Sequence, residues 1–334
     1  MTRSWRNDLS VGLALLALAV ALPFVWPVNY VVTQVTLFFV WAVVVTQWNL
    51  VYGVAGIFSL AQMALFAVGA YATAMLGYYL EWSLWLAMPV AGLVTVVVSM
   101  LIGLACLRLR GPYVALLTLA IAQVMYLYIV NDTACFTNPP SGCMPLFGGV
   151  RGVTRFGDLG FRELFKQDWR LAHYFLALGL LAAATVFSVV IIRGPLGLAF
   201  RALRDNPDFA RSRGINRFRT QLWVFALSAL FTGLAGAFYA ANFRSIGPTV
   251  FSFSLLLFLI SMMVVGGVGT IWGPLLGAAL LMMTDEALRE VQDWRDIGLG
   301  LMLALFVVLL PRGIVGTLRD LAHRRSAGRG PPAA

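Results

Sequence analysis

The amino-acid sequence is poor in charged residues, which make up 11% of its 334 positions, and it has one lysine and two histidines. No segment has the GxxxxGK[ST] spacing that binds nucleotide phosphates, and none has the HExxH spacing of a zinc protease. The sequence therefore indicates neither an enzyme nor a bound metal or cofactor. The apolar runs also lack the central ionisable residues with which ion-coupled transporters bind a driving ion. If the chain moves a solute uphill, we expect another protein to supply the energy.

Hydrophobic residues make up 60% of the sequence and form repeated long runs. A helix needs about 20 apolar residues to cross a bilayer. We therefore predict an all-α polytopic membrane protein with a single domain, residues 1–334, and about ten transmembrane helices. The predicted crossings are Leu9–Trp26, Tyr30–Leu50, Gln62–Tyr79, Leu84–Leu107, Tyr113–Val130, Leu171–Ile192, Gln221–Ala241, Phe251–Thr270, Gly273–Leu288 and Ile297–Leu310.

The formal net charge of +10 comes from arginines that stand near the ends of the apolar runs. Flanking cations are typical of cytoplasmic segments, and this placement speaks against a nucleic-acid partner. If every dense basic cluster is cytoplasmic, the crossings between clusters are even in number and both termini are cytoplasmic. Residues 131–170 then form an external loop, 193–220 a cytoplasmic loop and 312–334 a cytoplasmic tail. The basic residues within 131–170 count against this topology.

The predicted external loop contains two cysteines, Cys135 and Cys143, with prolines and a glycine between them. Such a pair can form a disulfide in an oxidising compartment, although the spacing alone does not decide it. Apolar residues at helical spacing follow further along the loop. A short interfacial helix and a plain loop are both compatible with them. These residues are Phe161, Leu164, Phe165 and Trp169.

The cytoplasmic loop has the residue order of a short helix, Pro207–Arg213. A capping residue precedes it, proline opens it, an acid lies in its first turn, cations lie in its last turn and a glycine follows it. These residues are, in order, Asp205 or Asn206, Pro207, Asp208, Arg211 with Arg213, and Gly214. The segment is either a solvated loop that fixes the topology or a helix that docks into a partner. So short a helix is marginal in water, which favours docking.

Two further segments combine glycine with polar residues near membrane depth. Such residues either break a helix beside a wet passage, or provide close helix packing and interhelical hydrogen bonds. The residue pattern alone leaves both interpretations open. The first set is Asn49, Gly53, Gly56, Ser59 and Gln62, and the second is Gly266, Gly267, Gly269, Gly273 and Pro274.

Several blocks in order carry a resemblance to a known family, among them GLAFRALRDNPDFARSRGIN, VVGGVGTIWGPLLGA and RLRGPYVALLTLA. The sequence resembles the LivM-type permeases of branched-chain amino acid ABC importers. That resemblance implies the fold of a type II-like importer permease in a bacterial inner membrane. It also implies a second homologous permease, two cytoplasmic ATP-binding subunits and an external solute-binding protein as partners, besides membrane lipid.

The resemblance also assigns an ATPase-coupling loop by motif. Its residues would be Arg201, Arg204, Asp205, Asn206, Pro207, Gly214, Ile215 and Asn216, although Pro207 departs from the usual pattern. The cargo would be a branched-chain or related amino acid. Alternatives are the same machinery carrying urea or short amides, a sugar or a nucleoside. A self-sufficient secondary transporter is the alternative from another class.

Overall fold

The computed structural model describes residues 2–106, 109, 111–137, 143–165, 168–289, 298, 300–301, 304–305, 308 and 313–317. Most of this part is helical. The helices are α1 (Thr2–Val25), α2 (Asn29–Asn49), α3 (Gln62–Tyr79), α4 (Leu84–Cys106), α5 (Pro112–Val130), α6 (Phe161–Leu164), α7 (Trp169–Arg193), α8 (Pro195–Asp205), α9 (Pro207–Ser212), α10 (Arg217–Phe243), α11 (Phe253–Gly266) and α12 (Gly273–Leu288).

Each predicted crossing within the described part coincides with one long helix, and α3 and α12 match both predicted ends. By length and composition, five described helical segments can cross a membrane. They are Asn29–Val54, Leu84–Cys106, Pro112–Val130, Trp169–Arg193 and Arg217–Phe243, and shorter apolar helices lie at Ser10–Val25 and Phe253–Gly266. The count of about ten therefore stays a prediction. The predicted crossing Ile297–Leu310 and the tail 312–334 lie largely outside the described residues.

Besides the helices, the described residues form two short antiparallel ribbons that the sequence did not predict. Strands β1 (Cys135–Thr137) and β2 (Met144–Pro145) pair with each other. Strand β3 (Val153–Thr154) pairs with β4 (Ser245–Ile246), which follows α10. A long segment covering helix ends must satisfy its own backbone donors and acceptors, and strand pairing does so locally. Of the apolar residues at helical spacing, Phe161 and Leu164 lie in a single helical turn, α6, whereas Phe165 follows that turn and Trp169 begins α7.

Helix α10 lies at the centre of the bundle and packs against both α3 and α4. The approach to α3 is close, since a Cβ on Gly69 would lie 2.2 Å from the carbonyl oxygen of Gly233. Lipid tails are as apolar as leucine, so van der Waals packing of this kind, rather than water exclusion, holds membrane helices together. The buried polar side chains of the described residues include no Asp, Glu, Lys or Arg.

Hydrogen bonds connect the segment after α5 to the end of α3 and the start of α4. The Tyr79 hydroxyl, at the end of α3, donates to the Leu146 carbonyl at 2.8 Å. The Trp85 indole, at the start of α4, donates to the Leu159 carbonyl at 3.1 Å. Residues 143–165 therefore cover the end of the bundle where α3 ends and α4 begins. The opposite ends of α2, α7 and α11 meet at the site described next.

Candidate functional site

The first helix break follows α2 directly. Residues Leu50–Val54 form a π-helical turn, and regular helix resumes only at Gln62. π-Turns inside α-helices are frequent at functional sites, and the wider turn alters the ordinary hydrogen-bond ladder. Gly56 adopts a left-handed φ of +70° two residues after the turn. A Cβ on Gly56 would lie 2.3 Å from the Arg204 Cγ atom. Both the positive φ and this close contact therefore favour glycine at position 56.

The second break separates α11 from α12. Gly267 and Gly269 have φ values of +118° and +78°, which residues with a Cβ atom rarely adopt. The Thr270 hydroxyl donates to the Gly267 carbonyl at 2.7 Å, and it accepts from the Gly273 N–H at 3.1 Å. Pro274 occupies the first turn of α12, where its missing N–H costs nothing. The helix break also allows close packing of the two helices, because a Cβ on Gly266 would lie 1.9 Å from the Gly273 carbonyl oxygen.

Asn49 joins the two breaks. Its side chain is 1% exposed, and its Nδ2 donates to the Thr270 carbonyl at 2.8 Å. Its Oδ1 accepts from the Gly269 N–H at 2.7 Å. One side-chain amide thus satisfies a donor and an acceptor that the second break leaves without helical partners. Gly53 completes the contact, since a Cβ there would lie 2.4 Å from the Gly269 nitrogen. We call Asn49, Gly53, Gly56, Gly269 and Thr270 the junction.

Two short helices, α8 and α9, lie beside the junction where the sequence predicted one. Helix α9 begins at Pro207 as predicted, and the Asn206 Oδ1 accepts from the Phe209 N–H at 3.0 Å. Gly214 ends the segment with a φ of +83°, and the Ile215 N–H donates to the Ala210 carbonyl at 3.1 Å. The additional helix, α8, buries Gly197, Phe200 and Leu203. Asn216 caps α10, accepting from the Arg219 N–H at 3.1 Å.

Arg201 and Arg204, which the resemblance assigns to ATPase docking, donate hydrogen bonds to backbone carbonyls of this chain. The Arg201 Nη2 donates to the Ile192 carbonyl at 2.8 Å, which gives a partner to a carbonyl in the last turn of α7. The Arg204 Nη1 donates to the Gly53 carbonyl at 2.7 Å, so α8 is bonded to the junction. The Arg204 Nε also contacts Asp205 at 2.9 Å. Both arginines therefore make contacts within this chain, which tie α8 to the end of α7 and to the junction.

Helix α9 carries an exposed aromatic side chain, Phe209, with charged residues around it. The Phe209 side chain is 58% exposed, although aromatic side chains are usually covered. The Arg213 guanidinium lies 5.3 Å from the Phe209 ring centroid, and Asp208 forms an i,i+3 pair with Arg211 at 3.6 Å. An exposed aromatic residue with charges around it is typical of a docking surface.

The remaining predicted passage residues are used for helix packing. The Gln62 Nε2 donates to the Thr232 hydroxyl of α10, and both side chains are buried. The Ser59 carbonyl accepts from the Trp48 indole at 2.8 Å, and the Ser59 hydroxyl accepts from the Ala61 N–H at 3.3 Å. These contacts correspond to the interhelical and local hydrogen bonding that the sequence left open as an alternative.

At the opposite face, Cys135 and Cys143 lie within disulfide-bonding range, with Cα atoms 5.4 Å apart. The pair closes the β1–β2 ribbon. The third cysteine, Cys106, is buried at the end of α4.

Sequence reasoning missed α8 and the contact of Arg204 with Gly53. The apolar positions Gly197, Phe200 and Leu203, three residues apart, are a signal that could have revealed the buried face of α8. The contact between Arg204 and Gly53 spans 151 positions, and nothing in a single sequence pairs residues so far apart.

Comparisons with known proteins fit this arrangement. Residues 30–310 match a family described as branched-chain amino acid transport system / permease component. The chain is 31% identical over 330 residues to the high-affinity branched-chain amino acid transport system permease protein LivM of Escherichia coli (strain K12). That alignment covers 95% of this chain and 77% of LivM.

Two further relatives are more distant. The permease protein LivH of the same high-affinity system in Escherichia coli (strain K12) is 24% identical over 309 residues, covering 88% of this chain and 96% of LivH. The fructose import permease protein FrcC of Rhizobium meliloti is 23% identical over 238 residues, covering 64% of this chain and 61% of FrcC. No solved structure gave a significant match. Both the family match and the identity to LivM span most of the sequence, so this chain belongs to the family of permease components of branched-chain amino acid transport systems.

Proposed function

We propose that this chain forms one half of a passage that carries a branched-chain amino acid across a bacterial inner membrane. Its partners are a second homologous permease, two cytoplasmic ATP-binding subunits and an external solute-binding protein. Family membership and the names of its relatives support the cargo and the partners. One observation supports the mechanism above all: Arg204 bonds the exposed cytoplasmic helix pair to a junction of two broken helices.

The mechanism follows from that connection. When the ATP-binding subunits approach each other, they displace α9 and with it α8, which the short turn at Asn206 joins. Arg204 passes the displacement to Gly53, and Asn49 passes it to the break between α11 and α12. Packed helices switch between discrete arrangements rather than deforming continuously, so a small shift at the junction becomes a rigid-body change. The described residues bury no acidic side chain, lysine or arginine, and a passage of that kind suits a zwitterion, because no charged group binds one end of the solute strongly.

The direction of transport requires α8 and α9 in the cytoplasm and the β1–β2 ribbon outside. We predict that Cys135 and Cys143 are oxidised in intact cells. A membrane-impermeant maleimide should label the chain only after treatment with an impermeant reductant, and mass spectrometry should locate the label at both residues. Cys106 is buried and serves as the internal control. Labelling of both residues without reductant would exclude the disulfide. Labelling only after the cells are opened would show that the β1–β2 ribbon lies on the cytoplasmic side, opposite to the proposed topology.

Docking is expected to depend on Phe209. Phe209→Ser should lower co-purification of the ATP-binding subunits about tenfold or more, because buried aromatic anchors commonly dominate interface energies. Phe218→Ser is the matched control, since Phe218 is 45% exposed and lies in the first turn of the neighbouring α10. Equal recovery of ATP-binding subunits with both variants would place the docking surface elsewhere.

The function itself is tested by reconstitution. Proteoliposomes containing this chain with all its partners should accumulate labelled leucine only when ATP is enclosed on the side of the ATP-binding subunits. Unlabelled valine or isoleucine should compete, whereas urea, acetamide, fructose and adenosine should not. Uptake by this chain alone, without ATP-binding subunits, would instead establish a self-sufficient transporter. Competition by one of the other solutes would keep the machinery and change the cargo.

A further inference from the structure

A cavity of about 700 Å³ opens on the face that carries the ribbons, between the α3–α4 turn and the segment after β3. Small-molecule sites in proteins typically have volumes of about 300–1,000 Å³ and combine aromatic walls with few polar groups. The same combination is found here. The residues that line the cavity include Tyr78, Tyr79, Trp82, Phe156, Glu81, Arg155 and Thr137.

The charged residues of the cavity are one acid and one base from different segments. Glu81 lies in the α3–α4 turn and Arg155 directly follows β3. Neither side chain has an ion-pair partner within the described part of the chain. A ligand that used both would carry a cationic and an anionic group at once, which excludes simple sugars and singly charged ions as matching ligands.

The backbone holds both charged residues in a costly conformation. Glu81 and Arg155 have φ values of +52° and +60°, and Arg244 is the other non-glycine residue with positive φ in the described chain. Arg244 belongs to the same face, since its carbonyl accepts from the Arg155 N–H at 3.3 Å. Positive φ costs roughly 1–3 kcal/mol for such residues and persists only where the surroundings impose it. The strain is concentrated around this cavity.

The walls of the cavity are firmly held. Phe156 is 2% exposed, and its carbonyl lies so close to α3 that a Cβ on Gly77 would be 2.3 Å away. The packing of Phe156 against α3 thus preorganises this side of the cavity.

We propose that this cavity binds the zwitterion of a free α-amino acid. Glu81 contacts the ammonium group, Arg155 contacts the carboxylate, and the aliphatic side chain lies against the rings of Tyr78 and Trp82. The proposal rests on the proposed function, because a cargo site on the external face would receive the amino acid released by the solute-binding protein. It adds a specificity-determining site at the entrance of the passage.

The test measures direct binding of tritiated leucine to the purified complex of permeases and ATP-binding subunits in nanodiscs, without nucleotide and without the solute-binding protein. Glu81→Gln and Arg155→Gln should each weaken binding about tenfold, the loss expected for one charge-assisted hydrogen bond. Glutamine tolerates positive φ no better than the residues that it replaces, so the backbone cost is unchanged. The matched controls are Glu163→Gln and Arg151→Gln, exposed charges of the same loop outside the cavity. Both should bind leucine normally.

Two competitors separate the charge contacts. Isopentylamine lacks the carboxylate of leucine, and 4-methylpentanoate lacks the ammonium group, so both should compete weakly with leucine in the native complex. In Arg155→Gln, leucine should bind no better than isopentylamine, and in Glu81→Gln no better than 4-methylpentanoate.

Several outcomes would overturn the proposal. The first is that the native complex binds no leucine. The second is that the control variants lose as much leucine affinity as Glu81→Gln and Arg155→Gln. The third is that Glu81→Gln and Arg155→Gln bind leucine normally and lose only their association with the solute-binding protein. Leucine uptake driven by ATP, measured in parallel, decides the proposed function separately. Normal uptake without direct binding would refute the site alone. Failed uptake with direct binding would refute the function and keep the site.

Discussion

Arg204→Ala is expected to uncouple ATP hydrolysis from leucine uptake in the reconstituted importer while the ATP-binding subunits stay attached. The guanidinium bonds the Gly53 carbonyl at 2.7 Å, and its aliphatic stem packs on Gly56. Removing a charge-assisted hydrogen bond costs about 1.5–3 kcal/mol, which corresponds to roughly ten- to a hundredfold in a coupled equilibrium. We therefore expect uptake to fall by about that factor and ATPase activity to persist.

Two further variants sharpen this expectation. Arg219→Ala removes an exposed arginine from the first turn of α10, on the same side as α8, and should leave uptake unchanged. Arg204→Lys retains the charge but loses the planar fork of donors, so uptake should be intermediate. If Arg204→Ala instead releases the ATP-binding subunits and leaves uptake per bound complex intact, Arg204 is a docking residue and not the connection to the junction.

Gly53→Ala is expected to disrupt the junction. The added Cβ would lie 2.1 Å from the Asn49 Oδ1 and 2.4 Å from the Gly269 nitrogen, so it would displace the amide that bridges the two breaks. Overpacking of this kind costs about 1–3 kcal/mol, and two half-buried backbone groups lose their partners as well. We expect a lower thermal unfolding temperature of the detergent-purified protein and loss of most leucine uptake.

Gly179→Ala provides the matched control for that substitution. Gly179 lies inside α7 with open space where its Cβ would be, so alanine should be neutral or stabilise the helix by about 0.5–1 kcal/mol. An unfolding temperature lowered equally by both substitutions would indicate a general sensitivity of the bundle. An unchanged temperature and normal uptake in Gly53→Ala would show that the two breaks do not act as one unit.

Much of the helical framework could be predicted because membrane helices are specified locally. Continuous apolar runs of membrane-spanning length leave the backbone no alternative to internal hydrogen bonding, so helices such as α3 and α12 begin and end where the sequence predicted. The start of α9 could be predicted equally well, because Asn206, Pro207 and Gly214 act on the helix ends over a few residues of sequence.

The partners of individual side chains could not be predicted in the same way. Arg201 and Arg204 stand in a basic loop, and the family resemblance implied that they contact another protein. Their hydrogen bonds to Ile192 and Gly53 arise because α8 folds back on the end of α7. The opposing Glu81 and Arg155 were not singled out at all, since the α3–α4 turn and the β3 segment meet only after the bundle has formed.

Composition and hydrophobic run length, which act within a few turns of chain, determined by themselves the long apolar helices of this protein, and capping residues determined the start of the short helix α9. Tertiary structure alone decided which groups far apart in the sequence meet: Asn49 with Gly269, Arg204 with Gly53, and the acid and base that line the cavity. The physical reason is that helix formation and capping depend on neighbouring residues, whereas helix breaks acquire partners only through the packing of the whole bundle.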